Sequence, residues 1–88
     1  MSCTIMLDQT IEERAELIVA CEKLKRNITP GNPTPVTEEE ALESVKEEIA
    51  DIQVCLGKLT RVLGISLSEI DEIMTQKIAR AEERLKDV

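Results

Sequence analysis

Glu12, Glu13 and Glu16 stand together early in the chain, and Glu48 and Asp51 stand near its middle. Residues three apart on a helix share a face, so Glu13 pairs with Glu16 and Glu48 with Asp51. At about 100° per residue, the first pair continues the azimuth of Leu17, Ala20 and Leu24, and the second that of Val45, Ile52, Cys55 and Leu59. Both pairs are therefore expected to face inward along apolar stripes. Carboxylates crowded at the wall of a core repel one another and lose hydration, a cost that a cation, a proton or an open cleft relieves. Oxygen donors from two facing helices suit a hard divalent ion, Mg²⁺ or alternatively Mn²⁺. Edge-of-core or solvated acids in a glutamate-rich chain would show the same spacing. The segments also align without gaps, EERAELIVACEKL at 12–24 onto EEIADIQVCLGKL at 47–59, with identities that include Glu12/Glu47, Glu13/Glu48, Val19/Val54 and Lys23/Lys58.

These acids need helices to hold them. Ile11, Ala15, Leu17, Ile18, Ala20, Cys21 and Leu24 recur at spacings of three and four, which predicts a helix over about 10–26 that closes on Lys23, Lys25 and Arg26. NITPGNPTPV at about 27–36, rich in Pro, Gly and Asn, predicts an irregular loop. Thr37-Glu38-Glu39-Glu40 is a capping box, and Leu42, Val45, Ile49, Ile52, Leu56, Leu59 and Leu63 extend one long helix to a stop at Gly64. Ser66-Leu67-Ser68-Glu69 opens a third helix carrying Ile70, Ile73, Met74, Ile78, Ala81 and Leu85. The short Gly64-Ile65 link predicts antiparallel packing of the second and third helices. The expectation is a single all-α domain over 1–88, a three-helix protomer whose antiparallel bundle is completed by oligomerisation.

Composition sharpens that expectation. The 88 residues include no Phe, Trp, Tyr or His, so the core must come from aliphatic residues, Met and Cys, which favours a homodimer or homotetramer sharing one core. Eighteen acidic against eleven basic residues give a charge of −7, which argues against nucleic acid and anionic membranes as partners. MSCTIMLDQT lacks the basic and apolar regions of a signal peptide and no stretch reads as a membrane span, so the expected location is cytoplasmic. Cys3, Cys21 and Cys55 show no CxxC spacing and are read as small reduced hydrophobes.

The signature Glu12-Glu13-Arg14-Ala15-Glu16 followed by Glu48-Ile49-Ala50-Asp51, with the Gly64-Ile65 break and the basic stretch Lys77-Ile78-Ala79-Arg80-Ala81-Glu82-Glu83-Arg84, resembles the MazG-like nucleoside triphosphate pyrophosphohydrolases. That all-α family is itself similar to the dimeric dUTPases and to phosphoribosyl-ATP pyrophosphohydrolase. The resemblance implies metal ligation by Glu13, Glu16, Glu48 and Asp51, orientation or deprotonation of the attacking water by Glu12, and neutralisation of phosphate by Lys77, Arg80 and Arg84. It implies Mg²⁺-dependent hydrolysis of a nucleoside triphosphate to a monophosphate and pyrophosphate. Related substrates are a phosphoribosyl nucleotide or a nucleoside diphosphate, and the alternative of a different class is a non-catalytic helical self-association protein. Relatives commonly place an aromatic side chain near the base, and some have a phosphate-binding lysine where this chain has Ser44.

Overall fold

The chain is described by a computed structural model for residues 2–31 and 35–86. Three α-helices run in order: α1 (Cys3–Ile28), α2 (Glu38–Val62) and α3 (Leu67–Lys86). α1 begins seven residues earlier than the apolar periodicity predicts. The Ser2 hydroxyl accepts the Ile5 amide at 3.2 Å and so caps an N-terminus without any acidic residue in its first turn. α1 ends where the Thr29 amide and hydroxyl both donate to the Lys25 carbonyl. The following loop, predicted at about 27–36, is seen as non-helical at 29–31 and 35–37, and residues 32–34 lie outside the described residues.

α2 starts at the expected capping box: the Thr37 hydroxyl accepts the Glu40 amide and donates to the Glu40 carboxylate, both at 3.1 Å. It stops in a Schellman motif, with the Ile65 amide on the Thr60 carbonyl, the Gly64 amide on the Arg61 carbonyl, and Gly64 at φ 68°. Ser66 caps α3 through the Glu69 amide at 3.2 Å.

α1 and α2 form an antiparallel hairpin. Thr10 of early α1 meets Cys55 of late α2, and Asn27 at the end of α1 donates to the Val36 carbonyl just before α2. The apolar residues buried between them are few: Met6, Ala20, Ala41 and Cys55. The Thr10 hydroxyl donates to the Met6 carbonyl at 2.8 Å, leaving the Cys55 thiol, 3.4 Å away, to donate to its oxygen. Of the three cysteines read as core hydrophobes, only Cys55 is buried; Cys3 and Cys21 are exposed.

The antiparallel packing predicted for the second and third helices is not present within the protomer. α3 makes only marginal contact with the hairpin and has no buried residue; Leu67 and Leu85 are each 74% exposed. The Schellman turn at Gly64 sends α3 outward, with Ile65 just before it and Ile70 in its first turns half-buried. The molecule measures 46 × 43 × 17 Å, with a radius of gyration of 16.9 Å. A compact chain of this length has a radius of about 12 Å. No helix among the described residues is long and apolar enough to cross a membrane.

Candidate metal centre

The hairpin brings three of the four predicted ligands together. Carboxylate oxygens of Glu13 and Glu16 on α1 and of Glu48 on α2 lie within 4.8 Å of one another. They sit at the edge of the helix interface rather than in its core, Glu13 and Glu48 half-buried and Glu16 exposed. Asp51, one turn beyond Glu48, is exposed and does not complete the close group, yet its charge acts on both Glu13 and Glu48.

Two oxygens in this group, Glu13 Oε2 and Glu48 Oε2, are shielded from solvent and have no hydrogen-bond partner among the described residues. Burial pushes the Glu13 carboxyl above its ordinary range, and the charges of Glu16, Asp51, Glu48 and Glu12 push it further. Glu48 is raised in the same way, first by burial, then by Glu16 and Asp51, with a side-chain hydrogen bond to Glu16 and the charge of Glu47 adding to the rise. A cluster in this condition takes either a proton or a cation. Carboxylate donors of this number and hardness fit Mg²⁺ or Mn²⁺.

Two open grooves flank the cluster, and Glu12 lines both. The first, about 370 Å³, runs past Glu16 and Glu48 to Lys23, with Ser44 opposite and Ala15, Val19 and Ala20 along its wall. The second, about 350 Å³, runs past Glu13 and Asp51 to Lys58, with Gln9, Val54 and Cys55 around it. Lys23 and Lys58 were not singled out as anion ligands from the sequence, although their equivalence in the aligned segments was the available signal. Neither forms an ion pair; among the described residues the one ion pair is Lys46–Glu43 on exposed α2.

Lys77, Arg80 and Arg84 do not join this site within the protomer. α3 carries them away from the hairpin, all three exposed, and neither groove beside the cluster includes them. No family model, curated protein sequence or solved structure matches this chain.

Proposed function

We propose that the protein is a divalent-cation-dependent hydrolase of nucleoside triphosphates, of the MazG-like kind, releasing a monophosphate and pyrophosphate and working as a homodimer or homotetramer. The observation that carries the reading is the gathering of Glu13, Glu16 and Glu48 within 4.8 Å, with two buried oxygens left unpartnered. Those residues and Asp51 would hold Mg²⁺, which when bound neutralises polyphosphate charge and lowers the pKa of a coordinated water. Glu12, which lines both grooves, would orient that water and accept its proton.

Exposed surface supports the oligomer. A compact monomer of 9.8 kDa exposes about 5,200 Å², whereas this protomer exposes 7211 Å². The excess, about 2,000 Å² on each protomer and so about 4,000 Å² for a pair, is in the range that an obligate interface buries in total. Ile73, Met74 and Ile78 of α3, with Ile11, Ile18 and Val54 of the hairpin, supply apolar surface for it. A partner's α3 laid against the hairpin would bring Lys77, Arg80 and Arg84 towards the acids.

The same exposed surface favours a second reading, in which the helices serve self-association alone. Incubation with each common NTP and dNTP, with and without Mg²⁺, followed by separation of the products, distinguishes the two. Monophosphate and pyrophosphate, formed only with the metal, are expected. Orthophosphate with a diphosphate contradicts the proposed bond cleavage, and absence of turnover with every substrate favours self-association.

A further inference from the structure

The grooves on either side of the acidic cluster are internal copies of each other. A shift of 35 positions takes Glu16, Val19, Ala20 and Lys23 of the first groove to Asp51, Val54, Cys55 and Lys58 of the second. The same shift takes Gln9 and Glu13 of the second groove to Ser44 and Glu48, the α2 residues of the first, whereas Glu12 lines both grooves and its counterpart Glu47 lines neither. The antiparallel hairpin therefore repeats one arrangement about a local two-fold axis: carboxylates from both helices, a valine, and a lysine two turns beyond the acid of its own helix.

The linings differ in chemistry. The exposed wall of the Lys23 groove is mostly carbon, from Ala15, Val19 and Ala20, and its opposing polar group is the short Ser44. The exposed wall of the Lys58 groove is mostly nitrogen and oxygen, and there the longer Gln9 replaces the serine. Both lysines are without ion-pair partners among the described residues, so each ammonium is free to meet an anion. A carbon wall suits the organic part of a ligand, and in the other groove Lys58 offers a cation to its phosphates, whose approach to the carboxylates of Glu12, Glu13 and Asp51 requires the bound divalent ion.

Resting on the metal-dependent reading above, we propose that the nucleotide lies across the lip at Glu12 in one orientation, its phosphate chain in the groove of Gln9 and Lys58 and its nucleoside over Ala15, Val19 and Ala20. Lys58 is then an anion ligand and Val19 part of the nucleoside platform. Lys23, at the far end of the carbon-walled groove, is not required by the phosphates.

Calorimetric titrations of the full-length protein test this with three probes: Mn²⁺ alone, Mn²⁺-tripolyphosphate, and Mn²⁺ complexes of the non-hydrolysable α,β-methylene analogues of the four common ribonucleoside triphosphates. Lys58→Gln is expected to weaken tripolyphosphate by at least about tenfold, the loss of one charge-assisted contact, while Lys23→Gln leaves it unchanged. At least one nucleotide is expected to bind more tightly than tripolyphosphate, and Val19→Gln to remove that gain without affecting tripolyphosphate. Binding of Mn²⁺ alone is expected to persist in all three variants, whose folding is verified by circular dichroism. Equal effects of Lys58→Gln and Lys23→Gln, no effect of Lys58→Gln, no nucleotide tighter than tripolyphosphate, or Mn²⁺ binding without either phosphate ligand would each overturn the assignment while leaving the metal site standing. Failure to bind Mn²⁺ would remove the metal reading and this inference together.

Discussion

Glu13 and Glu48 hold their protons more tightly in the folded protein than in the unfolded chain, because burial and the charges of Glu16 and Asp51 disfavour ionisation. Above the ordinary value of 4.5, the folded state keeps protons that the unfolded chain has released. The stability these groups contribute is therefore full below 4.5 and is lost as pH rises through their raised values. In urea unfolding of the metal-free protein, the midpoint is expected to fall from that pH towards neutrality, and a midpoint that rises would contradict the proposed electrostatics. Glu48→Gln removes one of the two groups and should flatten the dependence. Glu48→Gln and Asp51→Asn are also expected to keep the helical fold, hold or raise stability without metal, and lower Mg²⁺-dependent turnover by at least about a hundredfold. Retained turnover, or an unfolded variant by circular dichroism, would make those acids structural.

The hairpin rests on a small core and well-made helix ends. Met6 is 1% exposed and is the largest fully buried side chain, so Met6→Ala should cost about 2–5 kcal/mol in chemical unfolding. Gly64 has φ 68° and open space where a Cβ would stand, so Gly64→Ala should cost about 1 kcal/mol through the backbone alone. A loss well above that would mean that α3 packs closely on α2. The N-caps at Thr37 and Ser66 and the stop at Gly64 were legible because each depends on a side chain or glycine and neighbouring amides alone. The start of α1 was not, because Thr4 and Ile5 are weak helix formers and Ser2 lacks a glutamate at Ile5 to complete a box. Helical phase likewise placed Glu13, Glu16 and Glu48 on facing helices, but Asp51 stands outside the close group because phase carries no information on depth or inter-helix distance. The direction of α3 escaped for a similar reason: a short link limits where a helix can go without deciding what it packs against.

At the scale of the whole molecule, an extended protomer with its third helix unburied is expected to associate. Its melting temperature should then rise with protein concentration by mass action. Light scattering combined with melting over about a hundredfold dilution checks this, and a monomer with constant melting temperature would exclude a shared core. The proposed hydrolysis depends, however, on whether the acids between α1 and α2 receive a cation. The most direct measurement is the melting temperature of metal-free protein at neutral pH as Mg²⁺ is added, set against NaCl of equal ionic strength and against Glu48→Gln. A saturable rise specific to Mg²⁺ and absent from Glu48→Gln is the expected result. No rise, or a rise that NaCl or the variant reproduces, would contradict a metal centre at Glu13, Glu16 and Glu48.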